Sequence, residues 1–226
     1  MKVNFFIIGA PKSGTTSLKQ HLSQHSKIVT HKSIECAFFH DESEYNKGEE
    51  YLFQKYFFNQ KEYNNDCFGL VKQSSAFYYN DTIKRALDYD SEIQFILVCR
   101  NPIERYISSY FMEVERSAYS KSIEESIELA FNDKNSWEYK GLNMYGKYDR
   151  VIDNLFKIIP LQNFHIVLFE DLKKSPEVVL SCLQSKLNIE SQLLDLYQYK
   201  AVNAYKVSQS KLLTTIYNKV KRSNSV

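Results

Sequence analysis

The run Gly9-Ala10-Pro11-Lys12-Ser13-Gly14-Thr15-Thr16-Ser17-Leu18 follows the apolar stretch Val3 to Ile8. That order reads as a strand, a glycine-containing turn and a helix start, which together aim backbone N–H groups and the positive end of a helix at an anion. The chemistry suited to it is the holding of a phosphate or sulfate group; the plainer reading is a strand-to-helix turn with a Ser/Thr cap. A nucleotide triphosphatase loop, GxxxxGK[ST], places lysine directly after the second glycine and uses the Ser/Thr on magnesium. Here Gly9 and Gly14 keep the spacing, but Thr15 stands at the lysine position and the lysine lies inside the loop, at Lys12. The strand-like run Ile93 to Cys99 ends in Arg100, not in an acidic residue that would complete a magnesium site. The loop is suited to an anion held by a lysine without a metal.

A second constellation begins where Ile93 to Cys99 ends, at Arg100-Asn101-Pro102-Ile103-Glu104-Arg105-Tyr106-Ile107-Ser108-Ser109-Tyr110. Pro102 suits a first helical turn. Arg100 at the strand end and Ser108 two turns into the helix can converge on one anion, the first through a planar fork of charged donors and the second through a rotatable hydroxyl. Either residue alone reads equally well as solvated surface. Arg105 has two readings, as a third phosphate ligand or as an ion-pair partner on the helix surface.

Together these motifs resemble the PAPS-dependent sulfotransferase family, where PAPS is 3′-phosphoadenosine-5′-phosphosulfate. Ala10 to Leu18, with its PKSGTTSL string, is similar to the family's 5′-phosphosulfate loop, and RxPxxRxxSxY from Arg100 to Tyr110 matches its 3′-phosphate motif at every fixed position. The resemblance implies that Lys12 contacts the bridging and terminal oxygens of the donor. It further implies that Ser13, Gly14, Thr15, Thr16 and Ser17 serve the 5′-phosphate, that Arg100 and Ser108 serve the 3′-phosphate, and that PAP is the product with no metal required. The run His165 to Leu172, containing IVLFEDL, resembles the family's late strand and its turn, and Asn203-Ala204-Tyr205-Lys206 resembles the start of a C-terminal cofactor loop. The chain ends about one helix after Asn203, so the resemblance implies a shortened closing segment.

Transfer needs a base for the acceptor proton and positive charge where the leaving phosphate develops negative charge. Glu35, in Glu35-Cys36-Ala37-Phe38-Phe39, resembles the base-bearing segment of carbohydrate sulfotransferases, although Ile34 stands where a lysine is usual and Cys36-Ala37 replaces Pro-His. His31 or His40 would be the alternative, as in the small-molecule branch. Val71 to Phe77 is similar to a further carbohydrate-enzyme segment in which Lys72 and Ser75 match, so the resemblance implies that Lys72 neutralises the migrating sulfuryl oxygens. The plainer readings are a solvated glutamate and a snorkelling lysine. The implied acceptor is a small molecule or carbohydrate offering a hydroxyl or amino group. The competing functions are a binding module without turnover and a kinase dependent on ATP and magnesium.

These residues need a scaffold that brings strand ends together. Short apolar runs at Val3 to Ile8, Phe68 to Val71, Ile93 to Cys99 and His165 to Phe169 alternate with helical periodicity at Thr15 to Gln24, Thr82 to Asp88, Ile103 to Val114, Tyr145 to Ile158 and Pro176 to Leu187. That alternation predicts an α/β fold, a three-layer P-loop-type parallel sheet flanked by helices. The 226 residues suit a single domain. Residues 30–66 are rich in rings and charges and read as an aromatic insertion or lid near the acceptor site, or as ordinary aromatic core; residues 219–226 read as a frayed tail.

With 29 Lys+Arg against 27 Asp+Glu, the whole-molecule field argues neither for nor against a polyanionic partner, and no nucleic-acid partner is expected. Cys36, Cys67, Cys99 and Cys182 lack metal or disulfide spacing, so reduced thiols are expected. The apolar run Val3 to Ile8 is too short for a membrane span, and a cytoplasmic location is the expectation.

Overall fold

A computed structural model of the protein describes residues 2–57, 66–115 and 120–193. In chain order it contains β1 (Val3–Gly9), α1 (Thr15–Leu22), β2 (Ile28–Thr30), α2 (Glu42–Tyr45), α3 (Gly48–Leu52), β3 (Phe68–Lys72), α4 (Asn80–Tyr89) and β4 (Gln94–Cys99). There follow α5 (Pro102–Glu115), α6 (Ile123–Asn132), α7 (Trp137–Tyr139), α8 (Tyr148–Leu155), β5 (Phe164–Leu168), α9 (Phe169–Lys174) and α10 (Pro176–Lys186).

Among the described residues the strands form one parallel sheet in the order β2-β3-β1-β4-β5. Strands β1 and β4 are apolar on both faces, as a sheet covered on both sides requires. Period-2 alternation sends Phe6, Ile8, Phe95 and Leu97 into one core with Phe38, Phe39, Phe57 and Phe77. Phe5, Ile7, Ile96 and Val98 face the other core with Leu18, Leu22, Leu172 and Leu180. Helices and coils on two sides of a sheet give the expected three layers.

The rings of Phe38, Phe39, Tyr56 and Phe57 in the aromatic segment are buried in the first core, so they pack against the sheet. Two expectations change at the level of elements. The three-residue strand β2 has too few apolar residues to stand out by periodicity, and pairing with β3 forms it. The helix expected over Tyr145 to Ile158 is interrupted at Lys147, whose backbone (φ −85°, ψ 72°) separates α8 from the wider π-type turn at residues 140–144. No described helix is long and apolar enough to cross a membrane.

Candidate active site

The five described strands run the same way, so the segments after their carboxyl ends gather along one edge of the sheet, where open α/β sheets bind ligands. The loop after β1 carries Lys12, the one after β2 carries Glu35, and β3 ends in Lys72 followed by Ser74. Arg100 follows β4, and Phe169 follows β5.

Lys12 has φ 65° and Gly14 φ 81°, so two left-handed residues flank Ser13 and curl the backbone into an anion-holding concavity. Gly14 is the N-cap of α1 and supplies no side-chain cap, which leaves the first helical N–H groups to another partner. A Cβ at Gly14 would lie 2.9 Å from the Phe169 ring, and one at Gly9 would lie 2.5 Å from Phe77 Cδ1. Both glycines are therefore set by space, and Gly14 by conformation as well. Ser13 and Thr15 are buried, Ser17 nearly so, and Thr16 half-buried.

Arg100 Nη1 donates to Lys12 O at 3.0 Å, Nη2 lies 3.4 Å from Glu104 Oε2, and the guanidinium sits 4.6 Å over the Phe169 ring. The turn beneath it is built in sequence. Asn101 Oδ1 accepts from the N–H groups of Ile103 and Glu104, Pro102 opens α5, and Glu170 Oε1 accepts from Asn101 N at 2.9 Å. The IVLFEDL run thus supplies the ring beneath Arg100 and the carboxylate that holds its turn.

Lys12 Nζ reaches Met112 Sδ at 3.3 Å. Glu104, Ser108 and Met112 repeat every four residues along α5 and share one face. Since Arg100 touches Glu104 and Lys12 touches Met112, Ser108 lies between them on the face turned to the loop.

Arg105 departs from the surface ion-pair reading. Its side chain is buried and donates to Gly141 O, beneath Tyr145, because its place on α5 faces the π-type turn instead of solvent. Asn203 to Lys206 lie outside the described residues.

Two buried polar atoms bear on the fit of a phosphorylated donor. Ser13 Oγ, beside the Tyr148 hydroxyl, and Arg100 Nε make no hydrogen bond of acceptable geometry. Orphaned buried donors are costly, and both belong to the segments matched to the donor motifs. The residues present fit an anionic nucleotide.

Glu35 forms the other half of the site. Lys72 Nζ donates to Glu35 Oε1 at 2.7 Å, while Ser74 gives Oε1 its hydroxyl at 2.8 Å and Oε2 its N–H at 2.9 Å. The Lys72 side chain is 1% exposed and that of Glu35 33%. Ser74 O would lie 3.0 Å from a Cβ on Gly9, and Lys72 pairs with Ile7 across the sheet, so the carboxylate is anchored at the root of the anion loop. Ser75 Oγ instead accepts from Gln73 Nε2 at 3.1 Å.

His31 is buried with both nitrogens engaged. Nε2 accepts from Lys72 N at 3.1 Å, so the proton sits on Nδ1 and donates to Ser33 Oγ at 2.9 Å; that hydroxyl donates to Glu35 O at 2.7 Å. Burial first, then the charges of Lys19 and Lys72, lower His31 to about 3. It is a neutral brace beneath Glu35. His40 faces Thr82 Oγ1 at 3.0 Å and the Tyr79 ring. Ser74, Phe169 and Glu170 lie in segments that motif reading marks, but their roles, like the bracing role of His31, escape it because each acts through a contact between distant segments.

The family model described as the sulfotransferase domain matches residues 2–226. The chain belongs to the sulfotransferase family. It is 26% identical over 192 residues to human heparan sulfate glucosamine 3-O-sulfotransferase 5, covering 83% of this chain and 54% of the relative. The family member thus spans about half the length of that curated relative. A membrane-associated sulfotransferase of Dictyostelium discoideum is 32% identical over 121 residues, covering 53% of this chain and 25% of the other. A sulfotransferase structure from Alicyclobacillus acidocaldarius superposes with a TM-score of 0.72 at 20% identity, over 97% of this chain and 92% of that one. A mouse sulfotransferase complexed with PAP gives a TM-score of 0.56 at 16% identity, over 84% and 59% of the two chains. These likenesses establish the fold.

Proposed function

We propose that this chain transfers the sulfuryl group of PAPS to a hydroxyl group on a carbohydrate acceptor by direct in-line displacement. The observation that carries the reading is the anchorage of Glu35 at the root of the loop bearing Lys12: Ser74 binds the carboxylate while its own carbonyl packs against Gly9. A carboxylate has roughly four lone-pair sites. Two on Oε1 and one on Oε2 are taken, which leaves Oε2 with a position for the acceptor proton.

In this reading Glu35 Oε2 takes the proton as the acceptor oxygen forms a bond to sulfur and the bond from sulfur to the 5′-phosphate oxygen breaks. PAP leaves with the bonding electron pair. Lys12 compensates the charge developing on that oxygen, and the loop N–H groups with Ser13, Thr15, Thr16 and Ser17 hold the 5′-phosphate. Arg100 and Ser108 hold the 3′-phosphate. Lys72 fixes Glu35 and keeps a positive charge beside the migrating group. The relative named for glucosamine 3-O-sulfation supports a sugar hydroxyl as the acceptor.

The test is transfer from radiolabelled PAPS to a panel of glucosamine-containing oligosaccharides, phenols and amines, with chelator present. The expected result is a sulfated sugar hydroxyl, chelator-insensitive turnover, and loss of turnover in Lys12→Ala by at least about 100-fold. Full activity of Lys12→Ala would sink the mechanism. PAP binding without product on every acceptor would favour a binding module.

A further inference from the structure

Helix α1 reaches the base as well as the donor loop. Lys19, one turn past Thr15, is 8% exposed, and its ammonium donates to His31 O at 2.9 Å and to Ser33 O at 2.9 Å. A lysine at the margin of a packed helix ordinarily extends its charge to water. This one turns beneath the segment that leads from β2 to Glu35. An apolar side chain in its place would leave two carbonyls without their charged donor. The same segment is also held by His31, through Lys72 N and Ser33 Oγ.

We propose that Lys19 is a positioning residue for sulfuryl transfer: by clamping the carbonyls of His31 and Ser33 to the helix that opens the donor loop, it sets where the Glu35 carboxylate stands. The inference rests on the reading of Glu35 as base. It makes α1 a common mount, with the anion at its N-terminus and the base-bearing segment tied one turn later. A loosened segment would cost rate more than donor affinity, because Lys19 acts on Glu35 and the donor contacts lie at the other end of the mount.

The clamp is charge-assisted, so it has a pH signature. The groups facing Lys19 are Lys72 from the end of β3 and His31, Glu35 and Cys36 from the segment after β2. Burial first, then Lys72, lower Lys19 to about 8, against the opposing pull of Glu35 and Cys36. Burial pushes Cys36 up to about 12, and His31 lies near 3, so neither changes charge where Lys19 does. The clamp is fully charged well below pH 8, half charged near pH 8 and lost above it.

The experiment compares the full chain with Lys19→Met, Lys19→Arg and Glu35→Gln. Transfer to a glucosamine-containing oligosaccharide is followed across pH, PAP affinity by calorimetry, and backbone hydrogen exchange of residues 32–36 at one fixed pH. Lys19→Met is expected to bind PAP within about threefold of the parent and to lose about 10- to 100-fold in kcat. Its alkaline fall should disappear, and amides 32–36 should exchange faster while those of α10 do not change.

Lys19→Arg keeps charged donors that do not deprotonate in this range, so it should recover rate and move the alkaline fall upward. Should Lys19→Met not fold, Lys19→Arg decides. A parental kcat and pH profile in Lys19→Met, an unmoved alkaline fall in Lys19→Arg, or unchanged exchange at 32–36 would each overturn the proposal. Failure of the base reading is separate: Glu35→Gln at full rate would remove Glu35 from the chemistry while the exchange result still judged the clamp.

Discussion

Arg100 Nη1 donates to the backbone carbonyl of Lys12 at 3.0 Å, so the residue that follows β4 braces the loop that follows β1. Two motifs 88 residues apart are thereby one structure. In the proposed reading a substitution at Arg100 would therefore act on the 3′-phosphate ligand and on the loop's shape together.

Arg100→Ala should therefore weaken PAP by at least about tenfold, near 1.4 kcal/mol. Arg100→Lys should recover little, because a lysine lacks the planar fork that lies on Phe169 while reaching Lys12 O. Calorimetric titration with PAP measures both, and parental affinity in Arg100→Ala would contradict the assignment.

Glu35→Gln and Glu35→Ala separate chemistry from stability. Both should lower kcat by about 10²- to 10⁴-fold if the carboxylate is the base. Only the alanine variant removes every acceptor from Lys72 Nζ and Ser74, and breaking a buried pair costs about 3–5 kcal/mol at the upper end. Glu35 is itself a third exposed, so the loss seen by denaturant titration should fall below that range.

Gly14→Ala should destabilise the fold by about 1–3 kcal/mol through its left-handed conformation. The added Cβ would also press on the Phe169 ring, which supports Arg100, so PAP affinity should fall with stability. Thermal unfolding with and without PAP tests both; a parental melting temperature would show that the loop relaxes freely.

His31 predicts an acid sensitivity. Its folded value of about 3 lies below the ordinary histidine value of 6.5, so between them the unfolded chain binds the proton and the folded chain does not. This contribution is complete above about pH 6.5 and is lost progressively as the pH falls toward 3. Denaturant titrations at successive pH values should show a shallower acid decline in His31→Gln than in the parent. An identical slope would show that the ring takes up its proton without cost.

The local geometry of the proposed donor half was legible because its parts are local. Gly9 to Leu18 and Arg100 to Ser108 are each a strand end, a turn and a helix start, and both work through backbone geometry that residue type constrains directly. The parallel sheet was legible for the same reason, since Phe5 to Ile8 and Phe95 to Val98 are apolar on both faces. Strand β2 escaped because its three residues become a strand only by pairing with β3.

Residue order by itself determined the anion loop, the alternation of strand and helix, and the candidacy of Glu35 and Lys72. Tertiary structure alone decided that Lys72 grips Glu35, that Ser74 and not Ser75 is its neighbour there, that Arg105 turns inward and that His31 braces without titrating near neutrality. Local conformation follows from each residue's own stereochemistry, whereas the protonation and orientation of a side chain depend on which distant groups exclude water from it.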